Sequence, residues 1–589
     1  MNRLMQWVMA AALIGGLSVF TACSSGSDDN QEPVVKPDPV VNPDPDDNGA
    51  NSGSEEIGYK LRKWTGEEVV YNEKAMKATD IRTIARDNYY SGAFYISGTY
   101  NLEGFFGVDE GKTVDLILCD DAELKVHEIR MGSNSTLRIY GQEKDTGKLR
   151  VVAPHEGYAG IGTNTGRDIV IEIYGGDITT FGYNGAAGIG CGWRSGYYGK
   201  VKSITIYGGS IKATGGSSAA GIGSGYRANW NSHDPDSGVI TIYGGTVEAK
   251  GGGYYYGVGS DYNYDGGPGI GSGILTKLGT VNIYGGYVIA LGGHKASGIG
   301  TVGFVSVGEV NIYGGNVIAG GGKNGAGIGG GQGTYPEKIN IHGGTVYAYA
   351  GADAAGIGGG EDGDSGDITI TGGTIRAYGN KELVSWETID KVTTCKTGNN
   401  SGYGAGIGSG QDGSVNKIII KGGDIEAYGG MDGAGIGTGE EYTKDGINSG
   451  TIEIHGGKVW AEGKGYGAGI GCGEDATFGV LGISGGRVDA HAGSDCGPWS
   501  GGIGAYHESH GADDNCHIGW AGWERIYIGK GMRLWTYSPN VGGVENVTNN
   551  LPWWNYVHQR PQVAFDVCDH PGYDEASCPF CYRETLQLK

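Results

Sequence analysis

The segment AYHESHGADDNCHIGW places His507, His510 and His517 beside Asp513 and Asp514, and it holds three of the 12 histidines in the chain. Imidazole and carboxylate can share a divalent ion, or take and return a proton during hydrolysis. The bland alternative is a polar cap loop closed by a disulfide between Cys496 and Cys516. Near the end, VCDHPGYDEASCPFC spaces Cys568, His570, Cys578 and Cys581 as C-x-H-x7-C-x2-C. Four such ligands suit tetrahedral zinc, and disulfides compete outside the cytoplasm. Either bond would fasten a short tail that lacks a core. GGGEDGDSGD offers Glu361, Asp362, Asp364 and Asp367 as oxygen ligands for Ca2+. Without the ligand order of an EF-hand, an acidic solvated turn is the competing reading. No residue is assigned a catalytic role, and no cofactor is required.

Glycine-rich NGAGIGGGQG, from Asn324, has the look of a phosphate loop. A dinucleotide fingerprint occurs once, between a strand and a helix. Here Gly-Ile-Gly recurs from Gly188-Ile189-Gly190 to Gly502-Ile503-Gly504, and no amphipathic helix follows any copy. The glycines therefore belong to architecture. There are 122 of them in 589 residues, with no G-X-Y period and only 15 Pro, which excludes collagen.

The best-aligned units place double glycines at Gly314, Gly343 and Gly372. Each unit has three short apolar pieces. In INIHGG, Ile339 and Ile341 alternate with Asn340 and His342. In TVYAYA, Val346 and Ala348 alternate with Tyr347 and Tyr349. In AAGIGGG, Ala355 and Ile357 alternate with glycine. Period-2 patterning marks half-buried strands, each too short to stand alone. Stacking successive units buries the inward faces and pairs the backbones. The expected fold is all-β: a right-handed parallel β-helix of about a dozen coils, about 55–60 Å long at ~4.8 Å per strand, with atypical caps. Gly supplies the corners, where positive φ and close approach are needed. Cys191 and Cys472 are expected as small buried fillers.

The residue before each double glycine points outward by strand parity. In five successive units it is Tyr174, Tyr207, Tyr243, Tyr284 and Tyr313, followed by His342. These five tyrosines are expected to form an exposed stack. It would stabilise the sheet by same-face pairing, or offer a platform for sugar rings.

MNRLMQWVMAAALIGGLSVFTAC has the layout of a secretory signal. It resembles a bacterial lipoprotein signal, with lipidation at Cys23 and Ser24 in the pattern of outer-membrane sorting. The Pro-, Asp- and Ser-rich stretch that follows should stay extended. The expected layout is a signal peptide at 1–22, a tether at 23–56, an N-terminal cap and early coils at 57–150, glycine-rich coils at 151–535 and a tail at 536–589. A net charge of −23 argues against nucleic acid, against a membrane contacted otherwise than through the lipid, and against unaided binding of acidic polysaccharide.

Through ITIYGGTVEAKGGG, GAGIGGG and YISGTYNL, the chain resembles pectate-lyase-like β-helix repeats of bacterial surface proteins over roughly residues 90–535. The resemblance implies the fold. It leaves activity open, because that superfamily includes lyases, polygalacturonases and non-catalytic binding proteins. The polygalacturonase stretches NTD, GHG and RIK are missing, and so is the arginine signature of pectate lyases. The expected function is a non-catalytic outer-membrane lipoprotein, exposed on the cell surface, binding polysaccharide or glycoprotein surfaces. The alternatives are a β-helix lyase or hydrolase, and a structural spacer.

Overall fold

The computed structural model describes residues 54–506, except 156, 195–196, 227–236, 254–265, 304–306, 335, 380, 390–391, 400–401, 444–445 and 494–501, together with the backbone at 526–528, 533–538, 543–546 and 562–566. Apart from one short 3-10 turn at Ile81–Thr83, every regular element described is a strand.

Three strands make a coil. One coil uses Pro336–Ile341, Thr345–Tyr349 and Ile357–Gly358. Each lies parallel to its counterpart in the next coil, in register: Ile339 against Ile368, Val346 against Ile375, Ile357 against Ile407. The first faces, with the strands Glu55–Trp64 and Val69–Asp80 at one edge, build a sixteen-stranded sheet, and the second and third faces lie in one of twenty-eight strands. Those two faces merge in the early coils. There Thr99–Val108 pairs with Glu123–Met131 around the whole corner, with a register shift between Leu102 and Phe105. Later coils replace that long bent strand by two short ones separated by glycine.

The alternation seen in sequence decides which side chains go inside. Ile339, Ile341, Val346, Ala348 and Ile357 are all fully buried, and the same columns continue up and down the stack as one core. A fully buried Ile or Val is worth about 1.5–3 kcal/mol relative to exposure. Only neighbouring coils can supply that burial, so the stack is the unit of stability. Cys191 and Cys472 lie in this core, where burial is the first cause that pushes the Cys472 thiol up to about 12.

Glycine is forced at the third corner. Gly358 has φ +132°, and a Cβ placed on it would sit 1.8 Å from the carbonyl oxygen of Gly408 in the next coil. Neither the backbone angle nor the space admits a side chain. At the turns flanking this corner the left-handed positions are held by Ser218, Leu275 and Lys295 in earlier coils and by Asn324, Asp353, Asp362, Asp412, Asp432 and Asp475 in later ones. Asn and Asp tolerate that conformation best among residues with a side chain, which gives the acidic turns a backbone reason.

Two hairpins lie against the outside of the coils. Glu55–Trp64 pairs antiparallel with Val69–Asp80, and the second strand joins the sixteen-stranded sheet through Thr79 and Asp80. An insertion forms another antiparallel pair, Lys381–Ile389 with Val392–Asn399.

Candidate functional site

Parallel register turns a repeated residue into a column. Tyr140, Tyr174, Tyr207, Tyr243, Tyr284, Tyr313 and His342 follow one another on the outer face of the sixteen-stranded sheet. Their ring centroids are 4.5–5.2 Å apart and their planes are within 24° of parallel. At such spacing the rings are offset, so each keeps an outer strip of its face and its polar edge. His342 ends the run of rings, with Nδ1 3.0 Å from Thr371 Oγ1.

The expected exposed stack needs correction. Tyr174 is only 8 % exposed. The N-terminal hairpin lies over it. Tyr59 packs on Tyr140, and Ile57, Leu61 and Met76 join an apolar cluster with Tyr95, Tyr140 and Tyr174. Arg62 donates to the Tyr174 carbonyl and to Asp145. At the hairpin's tip, the Trp64 indole stacks on Tyr243 at 5.2 Å and leans on Tyr284 at 5.4 Å. Of the sequence-predicted ligand residues, Tyr174, Tyr207 and Tyr243 therefore sit under or beside this cover. Tyr313, 40 % exposed, and the exposed His342 lie beyond it, with Tyr284 at the boundary.

A column of amides runs beside the rings, two residues earlier on each strand. Asn340 Nδ2 donates to Asn311 Oδ1 at 2.9 Å, and Asn311 Nδ2 to Asn282 Oδ1 at 3.0 Å. Burial, the first cause in each case, raises the phenol pKa of Tyr174, Tyr207, Tyr243 and Tyr313. These rings stay neutral across ordinary pH. The uncovered part of the face is thus an aromatic strip edged by amides.

The third corner brings carboxylates together. Oxygens of Asp432 and Glu440, on either side of Ile436–Gly437, and of Glu474 in the next coil lie within 4.8 Å of one another. Gln411 Nε2 donates to Glu440 at 2.7 Å. Burial, assisted by the charges of Asp432, Asp412 and Asp475 and opposed by the Gln411 bond, pushes Glu440 up to about 7. Such a trio shares a proton near neutrality or shares a cation. The four acids proposed from sequence are arranged differently. Glu361 accepts from Asn324 and from Gln332, Asp364 accepts from the Ser414 amide at 2.9 Å, and Asp367 accepts from Asn416 at 2.6 Å. These partners disperse them instead of joining them in one ligand set.

Seven stretches of the chain, residues 171–193, 204–226, 240–274, 310–332, 339–361, 418–440 and 452–474, match the model of the beta helix repeat. Most begin within a first-face strand and end just past the Gly-Ile-Gly corner, one circuit of the coil. The chain is a right-handed parallel β-helix protein. No curated protein and no solved structure matches it.

Cys23, His507, His510, Asp513, Asp514, His517, Cys568, His570, Cys578 and Cys581 lie outside the described residues, as does the Cys496–Cys516 pair. Sequence reading missed a second column on this β-helix. Tyr349, Tyr378 and Tyr428 stack at 5.2 Å on the outer face of the second strands, with Lys381 over Tyr378 at 4.3 Å. Its signal was the repeated ending in TVYAY, TIRAY and DIEAY. The insertion covers its start, burying Leu383 against Ile289, Ile318 and Tyr349.

Proposed function

We propose that this β-helix is a non-catalytic surface lipoprotein that binds glycans through the uncovered end of its first aromatic column: Tyr284, Tyr313 and His342. Lipid on Cys23 would hold it at the outer membrane, with the coils presented to polysaccharide or glycoprotein surfaces. The observation that carries the reading is the seat of Trp64. A planar ring already lies on Tyr243 and Tyr284, so the column accepts a flat apolar face from outside the coil. Sugar rings present such faces, and the neighbouring Asn282, Asn311 and Glu309 provide hydrogen-bonding edges. The net charge of −23 directs this face to neutral sugars.

The test is a glycan array probed with the full chain and with Tyr313→Ala. The reading expects neutral glycans to be retained and the variant to lose them. An array that stays blank leaves a structural spacer. Polysaccharide cleavage is the second reading, favoured by the Asp432–Glu440–Glu474 trio, since a carboxyl held near 7 suits a general acid. It requires new reducing ends or unsaturated sugars that vanish in Glu440→Gln.

A further inference from the structure

Glu128 is the most deeply buried acid beside the early coils, 1 % exposed, on the strand Glu123–Met131. It holds two bases. Arg130 Nε donates to its Oε2 at 2.6 Å, and His155 Nδ1 lies 3.3 Å from its Oε1. The guanidinium is also clamped between rings, 4.0 Å from the centroid of Phe105 and 4.5 Å from that of Tyr158. Tyr89 stacks obliquely on Phe105 at 5.4 Å and is 43 % exposed.

Because Glu128 takes only the Nε side, both Nη groups of Arg130 are left without a hydrogen-bond partner among the described residues. His155 is 66 % exposed at its side chain, with Nε2 on the side away from Glu128. A guanidinium fixed at Nε and sandwiched between aromatic rings has already lost its rotamer freedom, and its fork matches two oxygens of one anion. The exposed ring of Tyr89 and the half-buried ring of Tyr158 flank it. We propose that Arg130 and His155 form a site for the carboxylate or sulfate of an acidic sugar, whose ring packs on the adjoining tyrosines. This site is separate from the aromatic column and does not rest on its reading. Its chemistry answers the repulsion expected from a chain of net charge −23. At physiological salt the Debye length is about 8 Å, so the acids that matter are those near the fork. Among the described residues the acid in contact with the guanidinium, Glu128, is already turned inward to Nε.

The experiment titrates the full chain at physiological salt with three labelled oligosaccharides of equal length: an oligouronate, a sulfated oligomer and a neutral one. One or both acidic probes should bind at least about tenfold more tightly than the neutral one, and the stronger of the two names the anion. Arg130→Lys keeps the charge but removes the fork, and should lose about tenfold of that affinity. His155→Gln, on an exposed side chain, should weaken it several-fold with no change in thermal midpoint. Tyr313→Ala should leave acidic binding intact. Equal binding of acidic and neutral probes, wild-type affinity in both Arg130→Lys and His155→Gln, or loss of acidic binding in Tyr313→Ala would each overturn the assignment.

Discussion

Replacing Gly408 by alanine attacks the feature on which every column depends. Gly408 has φ +143°, and an added Cβ would lie 1.8 Å from the carbonyl oxygen of Gly437 and 2.8 Å from its carbon. Holding alanine in that backbone region costs about 1–3 kcal/mol. Clearing the clash means drawing two coils apart where Ile407 N donates to Gly435 O at 3.0 Å and Ser409 N to Gly437 O at 3.1 Å. Each such bond is worth about 1 kcal/mol net, so the total loss is roughly 3–5 kcal/mol. The control is Gly482→Ala. Gly482 has no positive φ and nothing within 4 Å of its Cβ position, so alanine there should be neutral or stabilising by up to about 1 kcal/mol. Urea unfolding followed by far-ultraviolet circular dichroism compares the two, and amide exchange at Ile407 and Ser409 locates the damage. Coils of a solenoid feel mainly their neighbours, so faster exchange should centre on that corner. If Gly408→Ala unfolds with the wild-type midpoint, or like Gly482→Ala, the corner glycines are not required by coil-to-coil approach and the account of the fold fails.

Three further outcomes follow from other contacts. Trp64→Ala removes the indole that holds the hairpin tip. It should cost about 1–2 kcal/mol of local stability, because the ring is only partly buried, and it should speed amide exchange from Lys60 to Asn72 while the coils keep their protection. Glu440→Gln tests the acidic corner. The folded-state pKa of about 7 stands above the ordinary 4.5, so the protonated form is the one that favours folding. That contribution is complete below pH 4.5 and fades as pH rises through 7. The variant should therefore match wild type in acid and gain roughly 1–2 kcal/mol above pH 8, after discounting for the half-exposed side chain. Equal pH profiles of thermal midpoint would remove the proton-sharing trio. Leu383→Ala should release the insertion from Ile289, Ile318 and Tyr349 at a cost of about 2–4 kcal/mol, read as protease cleavage within 381–399.

Much of the coil was legible because its signals are local. Ile339-x-Ile341 and Val346-x-Ala348 announce strand faces within five residues, and Gly343-Gly344 announces the corner between them. The outward tyrosine column was also legible, since register follows once units align. What covers the column was not. EEIGYKLRKW reads as an ordinary strand, and nothing in it says that Trp64 reaches Tyr243, some 180 residues away, across the outside of a sheet it barely joins. The carboxylate trio escaped because Asp432 and Glu440 lie in turns on opposite sides of one Gly-Ile-Gly and Glu474 in the next coil, and their meeting depends on how turns before and after that corner interleave. Glu128 and Arg130 are neighbours in sequence, yet His155 joins them only through the winding of the early coils.

The central functional claim is most directly tested by calorimetric titration of the full chain with a neutral oligosaccharide, on wild type and on a Tyr284→Ala/Tyr313→Ala double variant, with reducing ends assayed in the same cell. The account predicts saturable binding, no new ends, and at least about tenfold weaker binding by a folded double variant. Absence of binding, unchanged affinity in the variant, or cleavage of the sugar would contradict it.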